Sequence, residues 1–302
     1  MIMTNNIDIN TKKIALIVNG KSQRGRSLYK HAMELLAQND INIWQGFCIR
    51  KPENINYTVQ GIIADGVDMI IVGGGDGTIS AIVDFGAKKD ILFAVLPLGT
   101  SNSFARSLNM PLDLESAIQV IKAGKTRKID LGKIGDDYFA NTANLGLSVE
   151  VNRSVNNKYK KNFGRLAYLP LALWHLLTFK PFDVTITTNI GIAKYKCIEI
   201  LIANGQFQGG IPLALSANLG SGKLVLKIFL CNSWKDKINL LGYWFLSLFK
   251  HNIRNRRIKQ FGFNEAKIDT ALPMYVDIDG EANTKTPIAI NVAEKALSII
   301  VP

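Results

Sequence analysis

Cysteine and histidine are scarce in this 302-residue chain: there are three of each, Cys48, Cys197 and Cys231, and His31, His175 and His251, all far apart. No spacing among them matches a zinc site or a CxxC pair, and an odd cysteine count in a chain this long argues against a disulfide framework. Buried thiols in a reducing compartment are expected. A hydrophobic leader is missing, since residues 1–11 are polar, so export is not expected. Long apolar runs are missing too. The longest, 166–179 and 238–249, are broken by polar residues and fall short of the roughly 20 residues that cross a bilayer. No internal repeat and no low-complexity segment occurs. Acidic residues are outnumbered 24 to 36 by basic ones, which leaves a formal charge of +12. Such a surplus points to an anionic partner: nucleic acid, a membrane surface or a phosphorylated substrate.

What is present is core material. Apolar residues make up 47% and charged residues 20%, which excludes a mostly disordered chain. At roughly 150 residues per domain, one large or two medium domains are expected. In the first half, apolar β-branched runs at 14–19, 41–48, 68–72 and 91–96 read as buried strands. Between and after them, 24–38, 53–64, 79–85 and 114–123 read as helices, the last with Asp113 as N-cap and Gly124 as stop. This alternation predicts an open, mostly parallel α/β sheet, in which ligands sit beyond the carboxyl ends of the strands.

After about Gly124 the pattern changes. Short strand-like runs at 131–134, 138–141, 184–188, 192–202, 224–230, 274–278 and 288–292 are separated by Gly, Asn and Pro turns. They predict a mostly antiparallel β domain, with helices at 164–179 and 234–250.

Three glycine-rich turns fall at strand ends of the first half. In Gly73-Gly74-Gly75-Asp76-Gly77-Thr78, consecutive glycines let backbone N–H groups approach a phosphate. Thr78 is placed to cap the following helix and to bond a phosphate oxygen. A carboxylate beside phosphates needs a cation between them, which makes Asp76 a candidate magnesium ligand. A plain strand-to-helix turn is the alternative. Asn19-Gly20-Lys21-Ser22 looks like the end of a P-loop, but Ala15 stands where that motif needs glycine. With Arg24 and Arg26, this loop offers phosphate binding by charge and backbone; a solvated basic loop is the alternative. The third turn, 97–106, presents Gly99, Thr100, Ser101 and Asn102 at a helix start, and Arg106 one turn on. Near the C-terminus, Val276-Asp277-Ile278-Asp279-Gly280-Glu281 puts Asp277 and Asp279 on one face of a strand. Asp-Gly is also a common hairpin turn.

Together these segments resemble the superfamily of diacylglycerol kinases, sphingosine and ceramide kinases and the bacterial lipid kinases. Residues 74–78 match its nucleotide signature, 97–106 its second signature, 19–25 its first phosphate loop and 279–281 its Asp-Gly-Glu. Asn144-Leu145-Gly146 and the glycines after Asn204 resemble elements of its C-terminal domain. The resemblance implies an N-terminal α/β nucleotide-binding domain, similar to NAD kinases and phosphofructokinases, over 12–128, joined by part of 282–302. A C-terminal β-sandwich lipid-substrate domain over 129–281 would complete it. It further implies ATP-dependent phosphoryl transfer to a hydroxyl of a membrane lipid such as diacylglycerol or a sphingoid base, in phospholipid metabolism. Asp279 would be the general base, with Glu281 and Asp76 placing Mg2+ and phosphate. Asn19, Gly20, Lys21, Ser22, Arg24, Gly74, Gly75, Asp76, Gly77, Thr78, Gly99, Thr100 and Asn102 would hold the nucleotide. Three departures stand out. Ser103 replaces the usual Asp of the second signature, and Gly20 a common Pro. Leu219-Gly220-Ser221-Gly222-Lys223-Leu224-Val225 lacks all three acidic positions of a Leu-Asp-Asp-Gly-x-Leu-Asp run that holds a structural magnesium in relatives, so no such ion is expected.

Basic residues beside apolar, aromatic stretches occur twice, at 158–180 and 234–259, the composition of interfacial association. Helices packed on the sandwich with solvated charges are the alternative. The expected partners are a membrane lipid and an anionic membrane surface. A homodimer is allowed, and nucleic acid is not expected, because no basic–aromatic recognition module is present. The expected location is cytoplasmic, peripheral to the inner membrane face. The competing functions are an NAD-kinase-like kinase of a soluble substrate and a non-catalytic lipid-binding protein.

Overall fold

A computed structural model describes residues 4–21, 25–51, 53–87, 89–154, 168–247 and 255–302. Four apolar strands, Ile14–Asn19, Ile43–Ile49, Met69–Gly74 and Leu92–Pro97, lie parallel, with Ile14–Asn19 between the second and third, and Leu92–Pro97 beside the third. Three of them are buried along almost their whole length, as strands covered on both faces must be. The helices Gly25–Gln38, Asn54–Ala64, Asp76–Gly86 and Leu114–Ala123 connect and flank them. The last is bounded as its sequence dictates. Asp113 accepts the Ser116 N–H at 2.8 Å, and Gly124 stops the helix at φ 66°. The helix expected over 79–85 begins three residues earlier, at Asp76, because Gly75 serves as its N-cap.

The second half is an antiparallel β-sandwich. Its strands include Thr142–Gly146, Phe182–Thr188, Gly191–Ala203, Leu224–Leu230, Ile258–Phe263, Glu265–Thr270, Tyr275–Ile278 and Glu281–Lys285. Gly191–Ala203 sits centrally, pairing with Thr142–Gly146, Phe182–Thr188 and Leu224–Leu230. Three helices, Leu147–Ser154, Tyr168–Thr178 and Trp234–Ser247, cover one side of this sheet through a cluster that includes Leu147, Val151, Leu176, Leu201, Phe229, Leu240 and Tyr243. The remainder of the two helical stretches expected at 164–179 and 234–250 lies mostly outside the described residues.

One strand joins the halves. Ile288–Ile300 pairs with Glu265–Thr270 at its start, antiparallel with Lys125–Ile134 over most of its length, and parallel with Leu92–Pro97 through Ser298 and Ile299. Ile288 and Ile290 are buried in the sandwich core, while Leu297, Ile299 and Ile300 are buried in the α/β core. Between them the register slips and Lys295 takes φ 50°. Asp130 pins this crossing. Its carboxylate accepts the Lys295 N–H at 2.9 Å and the Gly222 N–H at 2.7 Å, and its own N–H donates to Leu219 O at 2.6 Å.

Candidate active site

The three glycine-rich turns meet at the carboxyl ends of the parallel strands. Glycine is dictated here by close contact, with backbone at Gly99 and with the Thr78 side chain at Gly74. A Cβ on Gly99 would lie 2.3 Å from Gly75 Cα, and one on Gly74 would lie 2.5 Å from Thr78 Oγ1, closer than atoms can approach. A Cβ on Gly77, in contrast, would meet open space. The helix that starts at Asp76 has no side-chain cap, and within its first turn the Thr78 N–H donates to Gly75 O at 2.9 Å. Thr78 does not cap that helix with its hydroxyl, which accepts Asn19 Nδ2 at 3.0 Å. The same asparagine accepts the Lys21 N–H at 3.0 Å, which fastens the first loop to the second. Gly20 donates its N–H to Ile49 O at 2.7 Å. Proline there would lose this bond, and a Cβ there would fall 2.6 Å from Cys48 Sγ, which explains the departure at this position.

Asp76 accepts the Phe104 N–H at 3.0 Å and so ties the second turn to the third. Asn102 turns inward. It adopts φ 48°, accepts the Gly99 N–H at 2.9 Å, and donates to Gly99 O and Pro97 O at 3.0 and 3.2 Å. All these bonds go to its own loop, so Asn102 shapes the turn and does not face the cleft. Arg106 likewise donates to Ser101 O at 3.0 Å. Ser103, the departure from Asp, is buried and its hydroxyl accepts the Gly210 N–H at 3.1 Å. Ser107 accepts the Gln206 N–H at 3.0 Å. These two hydroxyls bind the third turn to the sandwich.

The sandwich contributes a hairpin. Tyr275–Ile278 and Glu281–Lys285 pair with Ile278 opposite Glu281, and Asp279-Gly280 form the two-residue turn with φ 48° and 103°. Positive φ at both positions is the primed turn that Asp-Gly favours. Leaving the strand in this way takes Asp279 off the face expected to hold it with Asp277. Asp277 is buried and accepts the Gly280 N–H at 2.6 Å, which locks the turn. The Asp279 carboxylate sits in a ring of amides: Oδ2 accepts from Ala140 at 2.7 Å, and Oδ1 from Asn141 and Thr142 at 3.0 and 2.9 Å. Burial pushes the carboxyl up to about 7 although these donors pull it down, and the charge of Asp76 adds to the rise. The two acids therefore lie within electrostatic reach of each other.

Asn19, Lys21, Gly75, Gly77, Thr78 and, from the sandwich, Glu281 line one cleft of about 480 Å3. Glu53, Ile55, Asn56 and Ala81 complete its wall. Glu281 also adds to the raised pKa of Asp84, whose main cause is burial. Ser22 and Arg24 lie outside the described residues, and Thr100 is exposed beside the cleft-forming turn. Sequence reasoning missed the amide ring 140–142, the wall at 53–56 and the buried Asn204, which donates to Asp130 O and Ala140 O at 2.9 Å each. Backbone amides carry no side-chain signal, and Asn204 was legible only as one element of the resemblance.

Among the described residues no three His, Cys, Asp or Glu gather as a metal cage. Magnesium carried by a nucleotide needs only one or two carboxylates besides phosphate and water; Glu281 lines the cleft, and Asp76 opens the helix that follows the glycine-rich turn. The loop 219–225 does not fit a structural cation. Ser221 donates to Asn218 O and Lys223 O, and both Asp130 oxygens already accept N–H groups.

The comparisons with known proteins agree with this architecture. The model of the diacylglycerol kinase catalytic domain matches residues 13–134, and that of the YegS C-terminal NAD kinase beta sandwich-like domain matches residues 141–301. A probable lipid kinase YegS-like from Enterobacter sp. (strain 638) is 32% identical over 71% of this chain and 73% of its own. A diacylglycerol kinase from Bacillus subtilis (strain 168) is 30% identical over 73% of each chain. The crystal structure of a diacylglycerol kinase from Bacillus anthracis str. Sterne superposes with a TM-score of 0.76 at 24% identity, covering 96% of this chain and 97% of that one. An α/β domain with three glycine-rich turns, closed by a sandwich that brings a carboxylate, here defines a kinase. The chain belongs to the diacylglycerol kinase family, in its bacterial YegS-like lipid-kinase branch.

Proposed function

We propose that this chain transfers the γ-phosphoryl group of ATP to a hydroxyl of a membrane lipid, such as diacylglycerol or a sphingoid base, at the inner face of the membrane. The observation that carries this reading is the Asp279 carboxylate, held by three amides and titrating near neutrality beside a glycine-rich cleft. A base with a pKa near the working pH takes a hydroxyl proton efficiently. Asp279 accepts the proton of the lipid hydroxyl as its oxygen attacks the γ-phosphorus; the amide ring fixes where that carboxylate stands. Lys21, the N–H groups of 75–77 and the Thr100 backbone hold the phosphates, with Ser22 and Arg24 on the same loop. Asp76 and Glu281 are the residues that would hold magnesium, which supplies charge neutralisation of the transferring group.

The lipid face is assigned to the two outer helices. Lys237 donates to Leu177 O and Phe179 O at 3.0 and 2.8 Å, which clamps Tyr168–Thr178 against Trp234–Ser247. Outward, Leu173, Trp174 and Leu177 on one helix and Trp234, Ile238 and Leu241 on the other are exposed, aromatic and apolar groups of the kind that enter a bilayer interface. Lys180, Arg256 and Lys259 flank them in the sequence. Arg257 is diverted, pairing with Asp236 at 2.7 Å. Lys158, Lys160, Lys161, Lys250, His251 and Arg254 lie outside the described residues. Among the described residues no helix is long and apolar enough to cross a membrane.

The test is transfer of label from γ-labelled ATP to a lipid extract on anionic vesicles, beside NAD and sugar phosphates as soluble acceptors. Label is expected in the lipid fraction, with a rate that falls as salt rises. Label in the aqueous acceptors alone would overturn the reading.

A further inference from the structure

Behind the proposed membrane face lies a pocket of about 290 Å3. Leu147, Val151, Leu201, Leu213 and Phe229 give it a largely apolar lining. Into it comes Glu199, which is buried and for which no ion-pair partner exists among the described residues. Ser148 gives Glu199 both its hydroxyl and its N–H, the latter at 2.8 Å. A carboxylate is expensive in such surroundings. Burial pushes its carboxyl up to about 8, with Asp277 adding to the rise. At neutral pH it is mostly a neutral acid, a group that offers a proton as well as accepting one.

The position of the pocket matters as much as its chemistry. Leu201 pairs with Asn144, and Asn144 pairs with Asp277, across adjacent strands. Asp277 in turn holds the Gly280 N–H of the turn that carries Asp279. The pocket therefore lies two strands from the proposed base. On its other side Phe229 meets Tyr243 edge-on at 6.3 Å, and Tyr243 belongs to the helix that exposes Trp234 and Ile238. It thus separates the proposed membrane face from the proposed chemistry.

We propose that Glu199, set by Ser148, is the polar contact through which this pocket selects the substrate, by hydrogen-bonding a lipid oxygen. This rests on the lipid-kinase reading. An apolar pocket with one or two placed polar groups is the usual form of a site that both holds and orients a ligand. A buried polar group left without its partner is also what discriminates most strongly between otherwise similar ligands.

Two experiments test it. A diacylglycerol with a diazirine in its acyl chain, in mixed micelles with the full chain, is expected to cross-link to 147–154 or 199–213. Cross-links only outside these segments would overturn the proposal, and this readout needs no turnover. In kinetics, Glu199→Leu is expected to raise the lipid KM about tenfold, the scale of one lost hydrogen bond in a buried site, with the ATP KM unchanged. Glu199→Gln, which still donates and accepts, is expected to stay close to wild type. An unchanged lipid KM in Glu199→Leu, or equal rises for lipid and ATP, would assign Glu199 a merely structural role. A wild-type chain that phosphorylates no lipid would remove the parent reading instead, a result distinguishable from both.

Discussion

Asp279 is the proposed base, and its environment sets a measurable pH dependence. The base acts as the carboxylate. Because burial raises its pKa from the ordinary carboxylate range to about 7, kcat/KM should rise with pH, reach half its maximum near 7 and level off above. A profile flat from pH 5.5 to 9 would remove Asp279 as the base. The residue was legible in the sequence twice over, as a hairpin turn and as a candidate carboxylate, and the hairpin reading holds: the turn is what aims the side chain at the amide ring. Strict alternation failed at this point. A positive φ ends the strand one residue earlier, so Asp277 locks the turn while Asp279 leaves it. Asn102 is a similar case. Its polarity suggested contact with a ligand, but left-handed backbone folds its amide onto Gly99 and Pro97.

Elements were most legible where punctuation and period agreed. Leu114–Ala123 begins at an aspartate cap and stops at a left-handed glycine, so its bounds could be read directly. Leu147–Ser154 was missed because Leu147, Val149 and Val151 alternate with polar residues in a strand-like period, yet the segment is helical and buries those three. The glycine-rich turns test the logic of contact at this scale. Gly99→Ala forces a Cβ onto the Gly75 backbone, which cannot give way as a side chain can. Overpacking of this kind costs about 1–3 kcal/mol, so a drop of several degrees in Tm is expected together with weakened ATP binding. Gly77→Ala meets open space and should leave Tm within about 1 °C while raising the ATP KM, because the added methyl stands in the cleft. Thermal denaturation beside ATP titration separates the two. Equal effects from both substitutions would contradict the contact argument.

For the whole molecule, composition, motif order and the resemblance made two domains legible, with part of 282–302 returning to the first, but not that a single strand there serves both cores. The strand Ile288–Ile300 carries core residues for both halves, and a local pattern cannot show that one strand serves two cores. Asp130 fixes its kink, so Asp130→Ala leaves two N–H groups without their charged acceptor. Each charge-assisted bond is worth about 1.5–3 kcal/mol, and a Tm lowered by roughly 5–15 °C is expected, with both halves melting in one transition because they share the strand. Two separate transitions in the wild-type chain would contradict that coupling. Of the basic side chains behind the surplus of +12, Lys21 lines the cleft and Arg257 is paired internally with Asp236. The proposed lipid phosphorylation centres on Asp279. The most direct test is mass spectrometry of lipids incubated with ATP and either the wild-type chain or Asp279→Asn. A phosphorylated lipid should form with the wild type and fall by about 10²–10⁴-fold in the variant, the scale of a lost general base. The same phosphorylated lipid formed at equal rate by both proteins, or by neither, would contradict it.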